Sequence, residues 1–257
     1  FGINHGGDVQ CYGKSMSRIV QMVWIPFVKS VIVLLERLTF ERRLAKHLKS
    51  VISTEAPVVL DVGANTGQTI LFWKKYFNRP TIHSFEANPA LVRILKNKNL
   101  QDVTIHGFGL SSKNGTLPFY VNALDLTSSF EATDGLSAYE KMKARVLGVS
   151  LDQLVQEMMI LPVRKLADVL NEIGLERIDF LKIDVEGHEY QVLQGLFYGS
   201  KKFNITRIQL ESHDDVTFRG QDQLQIEKLL GDEGYGEEVR FKHAFGSFED
   251  VIYKLQS

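Results

Sequence analysis

Two short stretches gather the residue types that could do chemistry. "LKIDVEGHE", Leu181 to Glu189, holds Asp184, Glu186, His188 and Glu189 around Gly187. "QLESHDD" holds Glu211, His213, Asp214 and Asp215. A histidine among carboxylates suits a proton acceptor working near neutral pH, with Asp184 orienting it or taking the proton directly. Asp184, Glu211 and Asp214 are also hard oxygen donors of the kind that hold Mg²⁺. Zn²⁺ is disfavoured, because no cysteine is near and no H-x-x-x-H helix pair exists. Plainer readings stand beside these. Glu186 and Glu189 fall where a helix begins, and acids there gain about 0.3–1 kcal/mol from the helix dipole alone. His188 could be a helix-start residue facing solvent. Asp184 resists such a reading, since an apolar strand rarely ends in an acid without a partner or ligand. Lys182 shares the face of Asp184 on an extended strand and reads as a neutralising charge.

The surrounding pattern says which elements carry these groups. Leu181, Ile183 and Val185 alternate with Lys182, Asp184 and Glu186, a strand running into a turn. "VVLDVG", "TIHSFEA", "VTIHGFGL", "RIDFLKIDV" and "ITRIQLES" read as strands. "QTILFWKKYF", "PALVRILKNKNL" with Pro89 in its first turn, "LADVLNEIG", "HEYQVLQGLF" and "DQLQIEKLLGDEG" read as helices. That alternation predicts an α/β fold with a mostly parallel sheet of roughly seven strands, helices covering both faces. The rhythm breaks between Ser111 and Leu161, where "TLPFYVN" and "LPVRKL" suit an extra hairpin-like edge. "EEVRFKHA" and "EDVIYKLQ" suit a closing antiparallel pair. Both acid clusters then lie at the carboxyl ends of strands, the rim where parallel sheets bind ligands.

"LDVGANTGQ", Leu60 to Gln68, joins the first strand to the first helix at the same rim. Gly63 and Gly67 would let the backbone approach a ligand closely. A dinucleotide loop would read G-x-G-x-x-G; here the middle glycine is absent and Asp61 precedes the first one. An acid would repel a pyrophosphate at a helix start, so the loop suits a ligand with a cationic or neutral group. Glu86 ends the second strand, where a carboxylate can accept from both hydroxyls of a ribose. It argues for a nucleoside without saying which.

The blocks "VVLDVGANTGQ", "IHSFEANP" and "RIDFLKIDVEGHEYQVLQG" resemble the signatures of FkbM-type methyltransferases, over about residues 55–215. The resemblance implies the class I, Rossmann-like methyltransferase fold. It also implies S-adenosylmethionine as cofactor and methylation of hydroxyl groups, commonly of sugars and polyketides. Under it, Asp61, Gly63, Ala64, Asn65 and Gly67 wrap the methionine part of the cofactor. Glu86, with Ala87 beside it, holds the ribose. Gly107, Phe108 and Gly109, in "GFGLSS", lie near the adenine. "DLTSSFEA", with Ser128 and Ser129, looks like a further family block. Methyl transfer to an alcohol needs alignment, which accounts for roughly 7–11 kcal/mol of barrier, and a base or metal to activate the hydroxyl. Asp184, His188 and Glu211 are the candidates for that work, and Asp184 also for contact with cofactor. A nucleotide-dependent oxidoreductase and a non-catalytic cofactor-binding module are the competing readings.

Composition bounds the rest. The 257 residues are 44% apolar and 24% charged, with a net charge of -1, which gives no reason to expect a nucleic-acid acceptor. Arg42, Arg43, Lys46 and Lys49 fit the solvated face of an amphipathic helix. The single Cys11 excludes an internal disulfide and suits a reducing, cytoplasmic setting. "FGINHGGDVQ" lacks the basic start and apolar core of a secretory leader. "IVQMVWIPFVKSVIVLL", Ile19 to Leu35, is shorter than the ~20 apolar residues of a spanning helix. It suits burial against the domain or a dimer partner, or a peripheral membrane contact. Residues 1–52 are expected to form a helical extension and residues 53–257 the methyltransferase domain.

Overall fold

The computed structural model describes residues 37–122, 128–130, 155–199, 201–213, 220–242 and 248–256. The apolar stretch from Ile19 to Leu35, and Asp214 and Asp215, lie outside them. Strands β1 (Val58–Val62), β2 (Thr81–Phe85) and β3 (Val103–His106) run parallel, as do β8 (Phe180–Ile183) and β10 (Arg207–His213). With β11 (Tyr235–Lys242) and β12 (Phe248–Leu255) they form a seven-stranded sheet in the order β11-β12-β10-β8-β1-β2-β3. Only β12 runs against the rest, pairing antiparallel with both β10 and β11. The strand order reverses beside β1, and at such a switch point the loops after neighbouring strands part to leave a crevice.

The α-helices among the described residues are α1 (Arg42–Val51), α2 (Gln68–Tyr76), α3 (Pro89–Asn97), α4 (Leu166–Ile173), α5 (Glu189–Phe197) and α6 (Gly220–Asp232). Side chains alternate across each strand, so the sheet has two buried faces. Val59, Ile82 and Phe180 meet α1 and α2 through Leu44, Leu48, Ile70 and Trp73. Leu60, Leu181, Ile183 and Ile208 meet α4, α5 and α6 through Leu170, Leu193 and Leu230. Pro89 opens α3 behind an Asn88 cap whose side chain accepts from the Ala90 N–H, as its sequence implied.

Three strands expected as single runs are divided. "VTIHGFGL" supplies β3 and then β4 (Gly109–Leu110), which joins β5 (Gly115–Asn122) and β6 (Val155–Arg164) in a separate three-stranded sheet. β5 and β6 are the antiparallel pair expected after Ser111. β7 (Arg177–Ile178) and β9 (Asn204–Ile205) form a two-stranded sheet apart from β8 and β10. Asp179 marks one break: its carboxylate accepts from the Val58 N–H at 2.9 Å.

The described part of the N-terminal extension packs as part of the main fold. A π-helical turn at Arg37–Glu41 leads into α1. Leu44, Ala45 and Leu48 of α1 are buried in the sheet's core. His47 lies 3.2 Å from the Glu238 carboxylate, which also receives both the Nε and Nη2 hydrogens of Arg207. Among the described residues no helix is long and apolar enough to cross a membrane.

Candidate active site

The loops after β1, β2, β3 and β8, with β4 and Glu211 of β10, line a cleft of about 210 Å³ at the carboxyl rim of the sheet. Gly63, Ala64 and Asn65 form one wall, Glu86 and Ala87 the next, and Phe108 and Gly109 a third. Lys182, Asp184, Glu186 and Glu211 line the opposite side. Phe119 and Ser128 also face the cleft. Most residues expected at the site are thus brought together.

Four of them are placed elsewhere. Asp61 is fully buried beneath the loop and does not reach the cleft. Its carboxylate accepts from the Ser84 hydroxyl at 3.2 Å. Burial raises its pKa, against the opposing pull of Lys182 and of hydrogen bonds from Thr69 and Ser84. Gly67 is the left-handed cap of α2, with φ +89°, and does not line the cleft. Gly107 also stands outside the lining. His188 is buried, at 4% exposure, and exchanges a 3.0 Å hydrogen bond with the Ser111 hydroxyl. Its ring packs 5.4 Å from that of Phe130. It therefore neither faces solvent nor lines the cleft.

The space beside Gly63 is also used differently from the expectation. Its φ is +88°, and a Cβ there would lie 1.8 Å from the Asp184 carbonyl oxygen. The missing side chain makes room for the neighbouring strand end rather than for a ligand. The cofactor-side loop and the Asp184 loop are consequently in direct backbone contact.

Glu86 holds the two nearest loops in place. One carboxylate oxygen accepts from the Asn65 N–H and the other from the Asn88 N–H, both at 2.8 Å. Burial pushes its pKa up to about 6, although those bonds work against the rise. Each oxygen keeps a second lone pair for a ligand hydroxyl. These pairs, the Phe108 ring beside them and the acids opposite suit a nucleoside that carries positive charge.

The Asp184 side is equally fixed. Lys182 Nζ donates to Asp184 Oδ2 at 2.7 Å. Burial opposes the Lys182 charge, but Asp184, Asp61 and Asp250 outweigh it and hold the ammonium above its usual pKa range. Glu186 adopts φ +54°, a strained conformation for a side chain of its size. Two clamps hold that turn. Glu189 accepts from the N–H groups of Val185 and Gly187, and the Ser129 hydroxyl donates to the Glu186 carbonyl at 2.9 Å. Glu189 thus does more than its sequence position suggested. Its signal was available as an acid at the first helical position that could reach back to the preceding loop. Phe119 and Phe130 carried no such signal, because a lone phenylalanine looks alike in a core and in a cleft.

Residues 61–237 match the family model described as the methyltransferase FkbM domain. The chain belongs to the FkbM methyltransferase family. "Methyltransferase sdnD" of Sordaria araneosa is 32% identical over 196 residues, covering 70% of this chain and 73% of its own length. "2-O-methyltransferase NoeI" of Sinorhizobium fredii is 26% identical over 194 residues, covering 71% and 74%. "31-O-demethyl-FK506 methyltransferase FkbM" of Streptomyces tacrolimicus is 32% identical over 157 residues, covering 54% and 59%. The protein is an S-adenosylmethionine-dependent methyltransferase, which sets aside the oxidoreductase and non-catalytic readings.

Proposed function

We propose that this methyltransferase modifies a hydroxyl group, of a sugar or glycan, with Asp184 as the proton acceptor. The observation that carries the reading is Asp184 itself. It is a partly exposed carboxylate on the rim of the cleft, pinned by Lys182 and facing the loops that suit a cofactor. S-adenosylmethionine supplies a methyl group already activated on sulfur, so the protein's tasks are alignment and removal of the acceptor's proton. Glu86 and the Gly63–Asn65 backbone hold the cofactor side, and Phe108 and Gly109 border the base. A positioned carboxylate acting as base contributes about 10²–10⁴-fold. Glu211, on the next strand, is placed to accept from a second acceptor hydroxyl. His188 supports the wall behind Ser111. The names of two relatives, a 2-O-methyltransferase and a methyltransferase of a 31-O-demethyl compound, favour oxygen as the acceptor atom.

Mg²⁺ on Asp184 and Glu211 is the alternative means of activating the hydroxyl. Among the described residues no three potential metal ligands cluster. Transfer of labelled methyl to a panel of sugars, with and without a chelator, tests both points. No labelled sugar from any acceptor sinks the sugar reading, and loss of activity with chelator restores the metal.

A further inference from the structure

Lys182 is a charged side chain on a central strand of the sheet, and its environment is unusual. In the sheet register Asp61, Lys182 and Gln209 stand side by side on β1, β8 and β10. Side chains two residues apart share a face, so Asp184 and Glu211 form the next row toward the rim. Asp250 pairs with Glu211 across β10 and β12, and its carboxylate accepts from the Gln209 amide. One ammonium therefore faces Asp61 beneath the cofactor-side loop and Asp184 beside the acceptor. It bonds Asp184 directly, and it lines the cleft. Stability alone explains such an arrangement poorly, since replacing buried ion pairs with apolar residues is often neutral or stabilising.

We infer that Lys182 is a positioning residue for methyl transfer: its ammonium, bonded to Asp184 on the acceptor rim and standing beside Asp61 under the cofactor loop, fixes the proton acceptor relative to the bound cofactor. This rests on the reading of Asp184 as the base. In the step it serves, the S–CH₃ bond breaks with its electron pair staying on sulfur. The acceptor oxygen forms the new O–CH₃ bond, and its proton passes to Asp184. Lys182 neither gives nor takes a proton. It prevents the carboxylate from rotating away or pairing elsewhere, and it offsets the second buried acid while the cofactor is absent. The Gly63–Asp184 backbone contact supplies a second link between the same two loops.

The test compares Lys182→Met, Lys182→Arg, Asp184→Asn and the Lys182→Met/Asp184→Asn double variant. Turnover is read with the hydroxyl acceptor returned by the sugar screen. S-adenosylhomocysteine affinity is read by calorimetry and folding by urea titration. Lys182→Met is expected to lower kcat at least tenfold, with KM and S-adenosylhomocysteine affinity each within about threefold. Lys182→Arg should recover at least a third of kcat, and the double variant should be no slower than Asp184→Asn alone. Independent, multiplying losses in the double variant would overturn the inference. So would a Lys182→Arg loss as deep as that of Lys182→Met, or an unchanged kcat in Lys182→Met. If Lys182→Met fails to fold by urea titration, the Lys182→Arg result decides. If Asp184→Asn itself retains full turnover, the base assignment fails, whatever Lys182 does.

Discussion

Gly63→Ala offers the sharpest test of how the two halves of the site are joined. The substitution adds one carbon at a position where φ is +88° and where that carbon would sit 1.8 Å from the Asp184 carbonyl oxygen. The left-handed backbone alone costs a non-glycine residue about 1–2 kcal/mol. An ordinary carbon–oxygen contact begins near ~3.3 Å, so one loop must move by about 1.5 Å. Forcing atoms into a packed site adds about 1–3 kcal/mol. The expected loss is therefore about 2–5 kcal/mol. Gly174 supplies a control for the first part, because its φ is +68° and nothing lies within 4 Å of its missing Cβ. Gly174→Ala should cost only the strain, about 1–2 kcal/mol. The roughly 2 kcal/mol difference corresponds to a gap of about 6 °C in Tm for a chain of this size. Calorimetry with S-adenosylhomocysteine should show at least tenfold weaker binding for Gly63→Ala and unchanged binding for Gly174→Ala. Equal Tm losses in the two variants, with cofactor affinity intact in both, would refute the claim that the loops abut through the glycine.

Other expectations concern single side chains. The pKa of Glu86 is lifted from 4.5 to about 6 by burial, so the folded protein holds its proton more tightly than the unfolded chain does. Its contribution to stability therefore falls as pH rises from 4.5 to 6, by about 2 kcal/mol in all. Urea unfolding of the parent and Glu86→Gln between pH 4 and 7 should show their difference shrinking by that amount; a constant difference contradicts it. His188→Ala should lower stability by about 1–3 kcal/mol through the stranded Ser111 hydroxyl and leave kcat within a few-fold. A fall in kcat of about 10²-fold or more in a folded His188→Ala protein would reinstate the histidine as the base. Glu238→Ala removes both bonds from the buried Arg207 guanidinium and should cost about 3–5 kcal/mol in urea unfolding. A cost below about 1 kcal/mol would mean that water replaces the carboxylate.

The sheet was legible because its strands obey a period of two and its helices a longer one. Leu60, Leu181 and Ile208 had to face one layer, and Val59 and Phe180 the other. The divisions within strands were not legible. Asp179 breaks β7 from β8 by capping a backbone N–H that belongs to β1, a partner 121 positions away. The site shows the same boundary. Glu86 and Asp184 stand at strand ends where any parallel sheet exposes them. Asp61 and His188 sit in the same motifs, yet both turn inward, because each has a buried hydroxyl to meet, Ser84 or Ser111. Motif spacing fixes which strand end a residue occupies. It does not say which side of a loop the side chain takes, since contacts with distant segments decide that.

The tie between α1 and β11 carries a consequence for synthesis. His47 and Glu238 are separated by 191 positions, and Phe40 meets Phe241 edge to face with ring centroids 6.0 Å apart. At about 5–20 residues per second, the ribosome takes roughly 10–40 s to make the chain between them. Through that interval Leu44 and Leu48 have left the ribosome while Phe241, part of their final cover, does not yet exist. Helix α1 must wait, apolar face partly bare, for β11. The nascent chain thus passes through a long, aggregation-prone stage that the finished enzyme does not reveal.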